Sequence, residues 1–127
     1  MQKKKILIVD DEQSLVDFVK LRLEANNYQV VSAVDGEEGL KVFAKEKPDL
    51  VLLDILMPKI DGFKVCQLLK KDPASSNIPI IMLTAKDRTD DIKKAHESGA
   101  DAYIIKPFDA STLLLDIKEQ LSKVKRG

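Results

Sequence analysis

The chain has little of what marks several large classes of protein. Among its 127 residues there is one cysteine, Cys66, which excludes an internal disulfide framework and a metal site built from several thiolates. No run approaches the roughly 20 consecutive apolar residues that a membrane-spanning helix requires. We therefore expect a protein that lacks a membrane span and works in a reducing compartment, the cytoplasm.

An excess of charge of either sign is missing as well. The 21 lysines and arginines balance the 21 aspartates and glutamates, so the formal net charge is zero. This balance excludes a strongly basic nucleic-acid-binding character over the whole surface, but it does not show how the charges are distributed. The chain begins with a basic stretch, but only residues 6–9 follow as an apolar run before two aspartates. That run is too short for the apolar part of a signal peptide.

What is present fits a single globular unit. Hydrophobic residues make up 44% of the chain and charged residues 33%, a balance typical of folded domains and not of disordered ones. Domains commonly contain about 100–200 residues, so we predict one domain over residues 1–127. A chain of this size buries about two-thirds of its unfolded surface, enough for a core without covalent cross-links.

Short apolar runs alternate with segments of helical periodicity along the chain. The runs predict strands at Lys5–Val9, Tyr28–Ala33, Leu50–Leu53, Ile78–Leu83 and Ala102–Ile105. Helices are predicted at Gln13–Ala25, Asp35–Lys45, Gly62–Lys71, Thr89–Ser98 and Asp109–Val124. Several runs are apolar at successive positions, which indicates strands covered on both faces, as in parallel sheets. The predicted fold is an α/β protein of the (βα)5 type, with a doubly wound five-stranded parallel sheet.

Polar residues follow four of the predicted strands, at the point where each strand ends. These residues are Asp10 and Asp11 after the first strand, Asp54 after the third, Thr84 after the fourth and Lys106 after the fifth. The carboxyl ends of parallel strands meet at one edge of a sheet, where ligands of such folds bind. We therefore expect these side chains to converge. The second predicted strand ends without a charged residue, as expected for an outer strand.

Three converging carboxylates repel one another. Two unit charges about 4 Å apart cost on the order of 4 kcal/mol at an effective dielectric constant of 20, which raises carboxyl pKa values unless a cation compensates. Lys106 is one available cation, and a bound divalent ion is another. Oxygen ligands of this kind suit Mg²⁺. Alternatively, each aspartate is only a solvated loop residue or a helix cap, but three strand ends with the same residue type argue against that interpretation.

In sequence order, these motifs resemble the receiver domains of bacterial two-component response regulators, including the single-domain chemotaxis regulator. The matching segments are residues 6–11, 52–58 with 61–62, 80–85, 99–103 and 106–108. Each motif is weak alone, but all of them at these spacings are highly specific. The resemblance extends from about residue 4 to residue 121 and implies a flavodoxin-like fold.

The resemblance also implies a site and a chemistry. It assigns Mg²⁺ to Asp10, acting through water, Asp11, Asp54 and the backbone carbonyl of Leu56. Asp54 would accept the phosphoryl group from a phosphohistidine on a sensor histidine kinase or a phosphotransfer protein. Thr84 and Lys106 would contact the phosphoryl oxygens. The domain would catalyse only its own phosphorylation and dephosphorylation and would not be an enzyme for an external metabolite.

A switch is part of the same resemblance. Thr84 would move toward the new phosphoryl group, and the ring of Tyr103 would turn into the space it leaves. An ordinary half-buried ring is the alternative interpretation of Tyr103. The fourth helix, fifth strand and fifth helix would form the output surface. Its candidate exposed residues are Lys86, Arg88, Asp91, Lys94, Asp101 and Tyr103.

The implied partners follow from this surface. They are a downstream effector protein or a fused output domain, and a phosphorylation-dependent homodimer is a further option. Direct binding to nucleic acid or to a membrane is not expected of this domain. A stand-alone receiver and a part of a longer regulator both agree with the sequence. The resemblance also implies a cis peptide bond between Lys106 and Pro107.

Residues beside the site and away from it carry smaller expectations. In the receiver domains that this chain resembles, the positions of Leu56 and Lys86 flank the phosphorylation site and control the access of water. An apolar residue and a lysine there imply a moderate to long aspartyl-phosphate lifetime. His96 is expected on the surface, and Cys66 is expected to be a small buried or half-buried residue.

Two other functional classes require motifs that this chain lacks. A phosphatase of the haloacid dehalogenase type needs a second aspartate two residues after its nucleophile, where this chain has Leu56. A flavodoxin-like binding module needs a phosphate-binding loop rich in glycine, serine or threonine after the first strand. Here Asp10, Asp11 and Glu12 follow that strand and would repel a phosphate. The nucleotide-binding patterns GxxxxGK[ST] and GxGxxG are absent from the sequence.

Overall fold

Strands and helices alternate strictly in the computed structural model, which describes residues 3–57, 59–85 and 89–124. The strands are β1 (Lys5–Val9), β2 (Gln29–Ala33), β3 (Leu50–Asp54), β4 (Ile80–Ala85) and β5 (Ala102–Lys106). The helices are α1 (Gln13–Glu24), α2 (Gly36–Glu46), α3 (Gly62–Lys71), α4 (Thr89–Glu97) and α5 (Ala110–Ser122). The predicted (βα)5 order is confirmed, with element ends shifted by one or two residues.

The strands form one parallel sheet in the order β2-β1-β3-β4-β5. The strand order reverses at β1, which lies between β2 and β3, so the doubly wound sheet is confirmed and β2 is an outer strand as expected. Val9 at the end of β1 is opposite Leu53 of β3, and Asp54 is opposite Leu83 of β4. The carboxyl ends of the inner strands therefore lie side by side.

Successive side chains of the strands face opposite sides of the sheet. In β1, Ile6 and Ile8 belong to a core with α1 and α5, whereas Leu7 and Val9 belong to a second core that includes residues of α3 and α4. All residues of β3 are buried. This explains why the inner strands are apolar at consecutive positions in the sequence.

Aspartate side chains cap three of the helices. Asp35, Asp61 and Asp109 each accept a hydrogen bond from a backbone N–H three residues later, at 2.8, 2.9 and 2.7 Å. The carboxylate of Glu38 accepts a hydrogen bond from the N–H of Val34, the residue before the cap of α2. These caps satisfy N–H groups that have no partner inside the helix. They fix where α2, α3 and α5 begin, at the same edge of the sheet as the strand ends.

Several local predictions can be compared with the structure. β4 begins two residues later than predicted because Pro79 has no N–H to donate, although its carbonyl accepts from the N–H of Val51 at 3.0 Å.

Cys66 is buried and His96 is exposed, as predicted. The peptide bond between Lys106 and Pro107 is cis, which the resemblance had implied. Within the described ranges, no helix is long and apolar enough to cross a membrane.

Candidate functional site

Three carboxylates meet at the carboxyl edge of the sheet. Asp10 and Asp11 follow β1 directly, and Asp54 ends the neighbouring strand β3. One carboxylate oxygen from each of these residues lies within 4.8 Å of the others. Asp10 and Asp54 are buried, with exposed fractions of 1% and 7%, whereas Asp11 is exposed. The predicted convergence of the three aspartates is confirmed.

Lys106 supplies a positive charge to this cluster from the end of β5. Its Nζ lies 2.9 Å from Oδ2 of Asp10 and 3.4 Å from Oδ1 of Asp54. Burial favours the neutral amine, but the hydrogen bonds and charges of the two carboxylates outweigh it and raise the pKa of Lys106. Lys106 is therefore protonated at neutral pH and partly offsets the repulsion among the carboxylates.

Asp54 is the carboxylate most perturbed by its surroundings. Burial and then the neighbouring charge of Asp10 raise the pKa of Asp54 to about 6, with Asp11 adding to the shift and Lys106 opposing it. The charged form of Asp54 is thus disfavoured in the folded protein relative to the unfolded chain. At pH 7.5 the carboxylate is still mostly ionised.

This shift predicts that Asp54→Asn stabilises the metal-free protein. A shift from 3.8 to about 6 corresponds to roughly 3 kcal/mol, and solvent screening at this edge reduces the expected gain to about 1–2 kcal/mol at pH 7.5. Only the ionised carboxylate of Asp54 destabilises the folded state, so the gain in stability from its removal is complete above pH 6. The gain shrinks as the pH falls from 6 toward 4, because Asp54 becomes protonated in the folded wild type. Urea unfolding with EDTA at pH 7.5 and pH 5 measures it. A gain that grows toward pH 5 would contradict the assignment.

The donor set fits Mg²⁺. Its ligand atoms are all oxygens, they are close together, and their combined charge exceeds what Lys106 alone can neutralise. Both oxygens of Asp10 already accept a hydrogen bond, one from the N–H of Glu12 at 2.9 Å and one from Lys106. Asp10 therefore has the least capacity of the three for a direct bond to a cation.

Thr84 brings a hydroxyl group to the same edge. It follows Leu83, the residue opposite Asp54 in the sheet, and it is 2% exposed. Within the described part of the chain, its Oγ1 has no hydrogen-bond partner. A buried hydroxyl without a partner costs about 1–3 kcal/mol, which is the arrangement expected where a ligand oxygen is to be bound.

The predicted exposure of the candidate output residues is confirmed in part. Lys94, Asp101 and Tyr103 are exposed, and Tyr103 is 46% exposed on β5. Lys86 and Arg88 lie outside the described residues. The ring of Tyr103 thus has its outward position here, and its predicted movement stays a prediction.

The prediction that Asp91 is exposed was wrong. Asp91 is 4% exposed, and Ala95 and Ser98, four and seven residues later, are also buried. Residues at this spacing lie on one face of a helix, so Asp91 belongs to the face of α4 that packs inward. The acidic side chain suggested solvent, but the helical period decides its direction.

The loop between β3 and α3 contains contacts that the sequence did not reveal. Lys59 has a left-handed backbone, with φ of 70°, and its Nζ lies 3.4 Å from Oδ2 of Asp35 and 4.0 Å from Oε2 of Glu37. A Cβ atom at Gly36 would collide with the carbonyl oxygen of Ile60. The loop is therefore packed directly on the first turn of α2.

Gly62 holds the other end of this loop against the site. A Cβ atom at Gly62 would collide with the carbonyl oxygen of Asp54, and the N–H of Gly62 donates to the carbonyl of Ile55 at 3.0 Å. Only glycine permits this approach. Gly62 was part of a recognised motif, whereas no sequence signal distinguished Lys59.

The chain is similar to known signalling proteins over nearly its whole length. The family model described as the response regulator receiver domain matches residues 6–118. The ycf27 protein of Porphyridium aerugineum is 48% identical over 127 residues, which are 100% of this chain and 52% of that protein. The regulator PhoP of Bacillus subtilis is 45% identical over 120 residues, covering 94% of this chain and 49% of PhoP. The chain spans about half the length of the curated relatives it matches.

Solved structures agree with this result. The receiver domain of a signal transduction histidine kinase from Syntrophus aciditrophicus has a TM-score of 0.91 and 36% identity, covering 98% of this chain and 94% of that one. The chemotaxis response regulator CheY4 of Vibrio cholerae has a TM-score of 0.87 and 30% identity, covering 93% and 98%. The chain therefore belongs to the response regulator receiver domains of two-component systems.

Proposed function

We propose that residues 1–127 form one receiver unit that accepts a phosphoryl group on Asp54 in a Mg²⁺-dependent reaction. The observation that carries this proposal is the convergence of Asp10, Asp11 and Asp54, with Lys106 bridging two of them. A cluster this acidic, with one lysine among its close partners in the described part of the chain, is suited to a divalent cation. The unit is a signalling domain and does not turn over an external metabolite.

Mg²⁺ would be held by oxygens of this chain. Asp11 and Asp54 would bind it directly, Asp10 through water, and the backbone carbonyl of Leu56 would complete the set. The support for a water-mediated role of Asp10 is that both of its oxygens already accept hydrogen bonds. When bound, the cation would neutralise the carboxylates and stabilise negative charge on the phosphoryl oxygens.

Asp54 would act as the nucleophile. A bond forms between one of its carboxylate oxygens and phosphorus while the bond from phosphorus to the histidine nitrogen of the donor breaks, and the imidazole leaves. An ionised carboxylate needs no general base. The ammonium of Lys106 and the hydroxyl of Thr84 would bind phosphoryl oxygens. The present partners of Lys106 support its role, and the Oγ1 of Thr84, which has no hydrogen-bond partner among the described residues, supports that of Thr84.

The phosphoryl donor would be a sensor histidine kinase or a phosphotransfer protein. The output would pass through the surface of α4, β5 and α5, with Thr84 and Tyr103 as the switch. Curated relatives include RpaA of Synechocystis, named a DNA-binding transcriptional regulator, of which this chain matches 51%. This supports a fused output domain that binds DNA, rather than binding by the receiver itself. A separate effector or a phosphorylation-dependent homodimer are the other forms of output, and the cytoplasm is the proposed location.

The test is incubation of the protein with a small phosphodonor, such as acetyl phosphate, with Mg²⁺ or with EDTA. Intact-mass measurement should show the gain of one phosphoryl group with Mg²⁺ only. Brief exposure to mild base should remove the group, because acyl phosphates hydrolyse far faster than phosphoserine undergoes β-elimination. Labelling that is equal in EDTA, or resistant to base, would contradict the proposal.

Mg²⁺ should raise the melting temperature, because it binds the folded cluster and not the unfolded chain. At about 100 times its dissociation constant, a ligand stabilises the folded state by about 2.7 kcal/mol. Asp11→Asn should raise the stability of the metal-free protein and reduce the Mg²⁺ effect, since it removes one charge from the cluster. Thermal melts with EDTA and with Mg²⁺ measure both changes. The opposite sign of either change would mean that the exposed Asp11 does not act with Asp10 and Asp54.

Leu56→Asn should shorten the lifetime of the phosphorylated state. Leu56 is 56% exposed beside Asp54, and an apolar side chain cannot orient the water that hydrolyses the acyl phosphate. An amide at this position could do so. Decay of phosphorylated wild type and variant, followed after removal of the phosphodonor, gives the two rates. Unchanged or slower decay in the variant would contradict this role for Leu56.

A further inference from the structure

We propose that Lys59 is a positioning residue that holds the loop between β3 and α3 in the shape that binds Mg²⁺. This inference rests on the proposed function, since it concerns the same cation. Lys59 touches neither the carboxylate cluster nor Lys106 in the contacts described above. It would act through the described backbone of its own loop, residues 55–57 and 59–61.

The first observation is the ion pair between the loop and α2. Lys59 Nζ lies 3.4 Å from Asp35 Oδ2 and 4.0 Å from Glu37 Oε2. The side chain of Asp35 is only 10% exposed, and its other oxygen caps α2 through the N–H of Glu38. The acceptor is therefore fixed in place. The ion pair therefore holds Lys59, whose backbone is left-handed, against the start of α2.

The second observation is the backbone contact beside that ion pair. The carbonyl oxygen of Ile60 packs on the Cα of Gly36 so closely that a Cβ there would collide with it. This contact and the ion pair lie side by side, because Lys59 and Ile60 are adjacent in the loop and Asp35 and Gly36 are adjacent at the start of α2. Together they seat the middle of the loop on the first turn of α2.

The third observation connects the loop to the site. The loop leaves the sheet at Asp54 and returns at Gly62, which packs on the Asp54 carbonyl and donates to that of Ile55. Leu56, the proposed source of a backbone ligand, lies between these two points. Displacing the loop at Lys59 would therefore move both the carbonyl of Leu56 and the backbone of Asp54.

An effect of the Lys59 charge and an effect of its positioning contact predict opposite changes in Mg²⁺ binding when Lys59 is replaced. Removing a cation near an acidic cluster makes the local potential more negative, so charge alone predicts equal or tighter Mg²⁺ binding. Loss of a positioning contact predicts weaker binding. Since an exposed ion pair contributes little, the weakening should be about three- to fivefold in the dissociation constant.

The experiment compares Lys59→Met with Lys41→Met by isothermal titration calorimetry with MgCl₂. Lys41 is the matched control because it also pairs with Glu37, at 3.7 Å, but lies on α2 and not on the loop. Lys59→Met should weaken Mg²⁺ binding, Lys41→Met should leave it unchanged or slightly tighter, and Lys59→Arg should restore it. Tighter or unchanged binding by Lys59→Met would overturn the inference.

Two further measurements separate position from charge: the first keeps Lys59 in place, and the second is made without the cation. Gly36→Ala leaves the charge unchanged but forces the Ile60 carbonyl away, so it should weaken Mg²⁺ binding by more than Lys59→Met does. In metal-free protein, hydrogen exchange at the Gly62 amide should be faster in Lys59→Met than in Lys41→Met, and equal rates would overturn the inference. Failure of the wild type to bind Mg²⁺ would instead overturn the proposed function, and the inference with it.

Discussion

Asp54→Asn will lose all detectable phosphorylation by a small phosphodonor, while its fold is kept and its metal-free stability rises. An amide is uncharged and a far weaker nucleophile than a carboxylate, so the bond to phosphorus cannot form at this position. The amide fits the same space, and it removes a charge that the folded protein holds at a cost, as the raised pKa of Asp54 shows. Intact mass after incubation with Mg²⁺ and acetyl phosphate measures the loss.

Asp61→Asn is the matched control for this change. Asp61 stands at the end of the same loop, is exposed and caps α3 by accepting from the N–H of Lys64. Asparagine caps helices about as well as aspartate, so this variant should be phosphorylated like the wild type. Labelling of Asp54→Asn at the wild-type level would remove Asp54 as the acceptor, and loss of labelling in both variants would point to a general effect of charge at this loop.

Lys106→Met should slow phosphorylation by about a hundredfold, because it removes the proposed donor to the phosphoryl oxygens on which charge develops. The same change should destabilise the metal-free protein by roughly 1–3 kcal/mol, since Asp10 and Asp54 lose their shared cation in a largely buried site. The raised pKa of Lys106 means that this contribution is complete at pH 7.5 and is lost only as the pH rises through the pKa of the folded state. Phosphorylation rates and urea unfolding measure the two effects.

Lys70→Met separates the loss of a lysine ion pair from the loss of the site. Lys70 is also half-buried and pairs with Asp101 at 2.7 Å. Asp101 directly precedes β5, so this pair lies at the edge of the sheet opposite the carboxylate cluster. Its loss should lower stability to a similar degree and leave the phosphorylation rate near that of the wild type. A Lys106→Met variant that is phosphorylated as fast as Lys70→Met would mean that Lys106 serves the fold alone.

The carboxylates and Lys106 could be predicted from sequence because strand periodicity and parallel topology determine where they go. Once β1, β3 and β5 are recognised, the residues that end them must reach one edge of the sheet. No feature of side-chain detail is needed for that conclusion. The convergence of Asp10 and Asp54 with Lys106 therefore follows from the order of the elements.

Lys59 and Asp91 show where the sequence is less informative. The contact between Lys59 and Asp35 depends on the path of an irregular loop, and a lysine carries no signal for a left-handed backbone. Asp91 was misplaced because its charge was given more weight than its helical position beside Ala95. Loop paths and the direction of a single helix face both depend on tertiary packing, which a local pattern does not contain.

The strand order also has a consequence for local opening of the structure. Asp10 follows β1 and Asp54 ends β3, two inner strands in which every residue except Lys5 is buried, whereas Lys106 ends β5, an edge strand with two exposed residues. Edge elements with few buried contacts open at lower free energy than the inner sheet. Transient fraying of β5 would withdraw the lysine while the two aspartates stay in register. The cationic half of the site is thus built on the more labile part of the sheet, next to the surface that is expected to report its state.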